Sequence, residues 1–163
     1  MKKLFICTAC VLLCAAWLAG CAVKEGINRA SRVSDAAKAL EIKLSPSQLV
    51  YEDDALDSQG WGHYYAEYDL SGAPPKLSEN EHWRELPVTG ELLEFLTGEE
   101  SRFGRPIEPP ERGYWFFRSC CGTQYGGGYT WFGFGENDSR DLYQIAFFDP
   151  DTGRLTYFFR ARF

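Results

Sequence analysis

Two adjacent cysteines, Cys120 and Cys121, are the residues whose types could most directly do chemistry. A thiol pair can serve as a redox switch, a nucleophile with a spare, or part of a metal site. Adjacency works against each use. Neighbouring Cα atoms are about 3.8 Å apart across a trans peptide, short of the roughly 4.4–6.8 Å of an unstrained disulfide, so a vicinal ring would be strained and easily reduced. The chain has only two histidines, His63 and His82, to activate a thiolate or complete a metal set, and the pair reads as a loop feature without a catalytic role. Acids cluster at Glu52-Asp53-Asp54 with Asp57, at Glu99-Glu100, and at Asp149 and Asp151. A carboxylate pair could serve a glycosidase only at a fixed separation in a cleft. Asp149-Pro150-Asp151-Thr152-Gly153 lacks the ligand spacing and distal Glu of a calcium loop. These acids read as solvated turns, and no metal site or cofactor motif is expected.

The run from Gly122 to Gly135 carries Tyr125, Tyr129, Trp131 and Phe132 on a glycine-rich backbone. It has neither the Lys-Ser/Thr ending of a phosphate-binding loop nor dinucleotide spacing. Aromatic side chains on such a backbone suit contact with a glycan or a protein partner; the same Trp131 and Phe132 could instead begin a buried strand.

A fourth chemistry sits at the N-terminus. Met1-Lys2-Lys3 precedes an apolar run from Leu4 to Ala19, then Gly20 and Cys21. A basic start, a hydrophobic stretch too short to span a bilayer comfortably, and small residues before a cysteine form an export signal. Leu18-Ala19-Gly20-Cys21 resembles the bacterial lipobox, which implies a diacylglycerol thioether on Cys21, removal of residues 1–20 as a signal peptide, and a further palmitate-type acyl chain on the new amino terminus. Each buried methylene contributes about 0.8 kcal/mol, so two or three chains anchor firmly where one does not. The expected location is the cell membrane or outer membrane, facing the extracytoplasmic side.

The whole chain has 163 residues, 45% hydrophobic and 25% charged, with a formal net charge of −6. That composition belongs to a folded single domain. Loss of Lys2 and Lys3 takes the 17 basic residues to 15 against 23 acidic ones, a mature charge of −8, which excludes a nucleic-acid clamp. Stability must come from a core, since one cysteine pair is no disulfide framework.

The elements that must position these groups follow from periodicity. Residues 21–44 read as lipidated Cys21 and a tether, with a short helix after a Ser34-Asp35 cap; residues 45–163 read as one globular domain. Leu49-Val50-Tyr51 is a short strand closed by the acids after it. Tyr64, Ala66, Tyr68 and Leu70 alternate with His63, Tyr65, Glu67 and Asp69, a strand with one polar face. Gly90 to Leu96 has helical spacing with Gly98 beyond its end. Of 26 aromatic residues, 16 lie between Tyr114 and Phe163. Tyr114 to Phe117 is apolar on both faces and reads as a central strand; Leu142 to Phe148 and Leu155 to Phe159 are strands joined by the Asp149-Gly153 turn. Arg154, Arg160 and Arg162 should share one strand face with cross-strand acids such as Asp141. The fold class expected is α+β: a small antiparallel sheet of four or five strands with one or two short helices.

Gly113-Tyr114-Trp115-Phe116-Phe117-Arg118, Ile145 to Phe158 with its Asp149-Pro150-Asp151-Thr152-Gly153 hairpin, and the earlier Trp83 with Leu86-Pro87 resemble the C-terminal half of a group of small bacterial lipoproteins. The resemblance covers about half the mature chain and implies an exported lipoprotein domain, with nothing about catalysis. The function expected is a lipid-anchored envelope binding module, held to the membrane through Cys21, with an envelope protein or glycan as partner. The alternatives are an envelope enzyme using Cys120, Cys121 or a carboxylate pair, and a purely structural lipoprotein.

Overall fold

The computed structural model describes residues 28–57, 59, 62–90, 93, 94, 96, 107–119 and 142–161. A helix occupies residues 28–40 (α1). Six strands follow: β1 (Leu49–Asp54), β2 (Gly62–Asp69), β3 (Trp83–Glu85), β4 (Tyr114–Ser119), β5 (Leu142–Asp149) and β6 (Arg154–Ala161). They form one sheet in the order β1-β2-β6-β5-β4-β3, with every neighbouring pair antiparallel.

The class is therefore α+β, with six strands where four or five are expected. The additional one is β3, three residues long and too short to show a period. It is held by what its Trp83 touches: the indole packs against Phe116 of β4 with ring centroids 5.4 Å apart, and its Nε1–H donates to the Leu40 carbonyl at 3.1 Å. The strand after Leu49 does not stop at the acids but runs through Asp54. Alternation explains how charge is carried along an edge strand: Glu52 and Asp54 face α1 and meet Arg29 at 3.3 Å and Arg32 at 3.1 Å. Partly exposed pairs of this kind contribute about 0–1 kcal/mol each, so they orient the helix more than they hold it.

The helix begins by residue 28, ahead of the expected Ser34-Asp35 cap; both residues are exposed within it. Val33, Ala36 and Leu40, spaced i, i+3, i+7, form a stripe buried against the sheet, and packing of that stripe outweighs the local capping preference. Residues read as tether thus supply part of the core. The helix ends in a Schellman motif, with Glu41 at φ 56 in the left-handed position and Ile42 N–H donating to the Ala37 carbonyl at 3.1 Å. Glu41, where Gly is usual, has its carboxylate 3.2 Å from His82 Nδ1.

Both sheet faces are covered. On the α1 side Tyr64, Ala66, Tyr68, Leu70, Phe116, Phe148, Leu155 and Tyr157 pack with the helix stripe. On the other side Tyr65, Phe117, Tyr143, Ile145, Phe147 and Phe158 pack under Val88, Leu96 and Ile107 from the β3–β4 connection. The expected face of Tyr64, Ala66, Tyr68 and Leu70 is found, but its partner is not wholly polar, because Tyr65 enters the second cluster. Within the helix expected from Gly90, the described Leu93, Glu94 and Leu96 are helical, and Leu93 and Glu94 N–H groups donate to the Gly90 carbonyl. Phe116 and Phe117 point to opposite faces as expected, yet β4 is an interior strand that adjoins the edge strand β3; the two central strands are β6 and β5. Arg154 pairs with Glu67 of β2, so its partner comes from the non-consecutive neighbour; Asp141 and Arg162 lie outside the described residues.

Candidate functional site

Strand register places five side chains in one row across the α1 face of the sheet. Asp54 stands opposite Tyr64, Tyr64 opposite Phe159, Phe159 opposite Gln144, and Gln144 opposite Arg118. Directly opposed residues have Cβ atoms about 4.5–5.5 Å apart, so Gln144 and Arg118 act on the same small volume. The next row toward the sheet end holds Leu142 and Ala161.

Above these rows lies a cavity of about 610 Å³, walled on the helix side by Arg32, Asp35, Ala36, Lys38 and Ala39 and at its mouth by Leu56 and Gln59. The volume is in the range of small-molecule sites. Its origin is visible in the residue types: Ala36, Ala39 and Ala161 stand where longer aliphatic chains would close the gap between helix and sheet. Tyr157, Phe159 and Leu142 form an apolar floor, and a polar end is made by Gln144 and Arg118.

The polar end is strained in its hydrogen bonding. Gln144 is only 6% exposed, and its Oε1 has no hydrogen-bond partner. A buried acceptor left unmatched costs about 1–3 kcal/mol, so this amide is a place where a bound group would be favoured. Arg118 Nη1 donates to the Ala39 carbonyl at 3.4 Å, which ties the guanidinium to the helix wall. Arg32 is engaged by Asp54, and Asp35 and Lys38 stand beside it on the helix wall.

Tyr64 lines the cavity on the side away from Arg118. Its hydroxyl donates to Glu52 Oε2 at 3.2 Å, and burial, reinforced by the neighbouring Tyr68 and Glu52, pushes its ionisation far above the ordinary tyrosine value. The phenol stays protonated and is no base or nucleophile at any working pH. Tyr68, whose hydroxyl lies beside it without a hydrogen bond of its own, is pushed up to about 12, chiefly by burial. A group whose folded pKa is raised supports the fold fully below its unfolded value and progressively less as pH rises toward the folded one. The domain is expected to lose stability between about pH 10 and about pH 12. Tyr68→Phe should lessen that loss in denaturant midpoints measured across the range, Tyr64 still contributing its share, while leaving the midpoint at neutral pH unchanged or higher.

The residues singled out by type do not assemble here. His63 lies on β2 opposite Arg160, whereas His82 precedes β3 and contacts Glu41 and Glu81. Four strand-to-strand steps, about 19 Å, separate β2 from β3. Among the described residues no group of His, Cys, Asp and Glu could hold a metal. Asp149 accepts from the Asp151 N–H at 2.9 Å and the Thr152 hydroxyl at 2.8 Å, and Arg112 pairs with Asp151 at 2.6 Å; hydrogen bonds from Ser71 hold Asp69 below the usual carboxylate range. These acids organise the turns at that end of the sheet. Cys21, Cys120, Cys121, Tyr125, Tyr129, Trp131 and Phe132 lie outside the described residues.

Gln144 and Arg118 escape a search by residue type, because neither is reactive. The signal for them is a polar residue inside an otherwise apolar strand, Leu142 to Phe148, and a cation closing an aromatic one. Comparison with models of known families, with curated proteins and with solved structures finds no match.

Proposed function

We propose that this chain is a lipid-anchored lipoprotein of the bacterial envelope, a binding module that holds a small amphipathic molecule between α1 and the sheet. The observation that carries the binding reading is the open cavity of about 610 Å³ with an apolar floor and one polar end. The Lys2-Lys3 start and the Leu18-Ala19-Gly20-Cys21 ending support the anchor. No helix among the described residues is long and apolar enough to cross a membrane, and an acylated Cys21 needs none. Asn28, where α1 is first described, is seven residues from Cys21; extended chain reaches at most about 25 Å over that span, which would keep the cavity close to the bilayer surface.

Two measurements test the two parts. Intact mass of the protein from its native membranes should show a chain beginning at Cys21 with acyl chains attached, and Cys21→Ser should abolish both; an unprocessed, unacylated chain would remove the anchor. Solvent extraction of the purified full-length protein, followed by mass spectrometry, should release a low-mass compound in near-stoichiometric amount. Ala161→Leu, which fills the floor, should deplete it. A compound present equally in both proteins, or in neither, would overturn the binding reading.

A further inference from the structure

We infer that the cavity takes an aromatic molecule with a hydroxyl or N–H donor at one end, and that Gln144 is the residue that selects it. The inference rests on the binding reading above and adds which group of the ligand is recognised, and by what.

The surroundings of Gln144 carry the argument. Its Oε1 is buried without a hydrogen bond, on a side chain that lines the cavity and is only 6% exposed. Leu142 and Ala146, two residues away on β5, share its face of the sheet and are apolar. Phe159, opposite on β6, is apolar as well. Arg118, opposite on β4, directs Nη1 to the helix, where the Ala39 carbonyl accepts it. The donor that Oε1 lacks must therefore come from the cavity. The last torsion of a glutamine side chain is soft, so the amide can present Oε1 there without moving the strand. The rest of the chamber asks for no second polar group: Tyr64 donates to Glu52 and Arg32 is held by Asp54, while Asp35 and Lys38 are exposed. Phe159 lies one strand spacing from Gln144, about 5 Å, and Tyr157 is two residues farther along β6, about 7 Å. One aromatic ring system whose donor sits at Gln144 reaches both. A ligand offering acceptors alone, such as an ether, an ester or an ionised acid, would leave Oε1 unmatched.

The test uses the full-length protein in detergent and isothermal titration with two pairs of probes. Indole and 1-methylindole differ by one N–H donor, 4-ethylphenol and 4-ethylanisole by one O–H. In each pair the donor should bind about tenfold more tightly. In Gln144→Leu the members of each pair should become equal within about twofold, and Gln144→Met repeats the test should leucine disturb the strand. The compound extracted from the wild-type protein should gain mass in deuterated solvent, through an exchangeable hydrogen. Equal binding within both pairs by the wild-type protein would overturn the inference. So would a donor preference that survives in Gln144→Leu and Gln144→Met, since the size of the added methyl group would then be setting it. Heat from none of the four probes, or an extracted compound without an exchangeable hydrogen, would overturn it too. In each of those cases a compound that co-purifies with the wild type and is lost in Ala161→Leu would leave the binding reading standing, while its absence would remove both.

Discussion

Phe116→Ala is expected to lower the unfolding free energy by about 3–5 kcal/mol, the usual cost of truncating a fully buried phenylalanine. Phe116 is fully enclosed and lies on the α1 face of β4, where it supports Trp83. Trp83 in turn is the residue that ties the short strand β3 to the end of the helix through Leu40. Removing the Phe116 ring therefore opens a cavity and also leaves Trp83 without the surface it leans on. Denaturant titration checks it, with Val50→Ala on the exposed edge of β1 as a comparison that should stay within about 0.5 kcal/mol. A loss below about 1 kcal/mol for Phe116→Ala would mean that the α1-side cluster is not packed as described.

The second large effect is expected at Gly153, in the turn between β5 and β6. Its φ is 69, a conformation that side-chain-bearing residues rarely adopt. A Cβ there would lie 2.6 Å from the Ser71 Cα and 2.7 Å from the Ser71 nitrogen, and backbone atoms cannot swing aside as a flexible side chain can. The approach is functional for the fold, because the Leu70 N–H donates to the Gly153 carbonyl at 2.8 Å and so docks the hairpin turn on the end of β2. Gly153→Ala should cost about 2–4 kcal/mol, from backbone strain and from displacement of that contact together. Gly90 separates the two contributions. It has φ 65 with open space where a Cβ would go, so Gly90→Ala should show the backbone strain alone, about 1–2 kcal/mol. Equal losses for the two substitutions would show that the Ser71 contact is not held in solution.

Gly153 also shows how far local reading reaches. Asp149-Pro150-Asp151-Thr152-Gly153 specifies a turn by its own chemistry, and the strands on either side pair as that turn requires. The same holds for the two-residue period of Tyr64, Ala66 and Tyr68, which face the core together, and for Phe116 and Phe117, whose adjacency alone sends them to opposite faces. Where tertiary packing competes with a local preference, packing prevails: Ser34 and Asp35 look like a cap and are instead the exposed face of a longer helix, because Val33 is already needed in the core.

From sequence alone, then, the α+β class, five of the six strands, the closing hairpin and the alternation of faces were determined, since each depends on residues within a few positions of one another. Only the tertiary structure decided that β6 inserts between β2 and β5, that three residues around Trp83 form an edge strand, and that a cavity exists. The physical reason is common to all three. Strand order is set by which apolar faces can be buried together across many tens of residues. The cavity is produced by alanines at 36, 39 and 161 that meet only when helix and sheet pack. Gln144 and Arg118 are unremarkable 26 residues apart in the chain; the register between β4 and β5 sets them face to face.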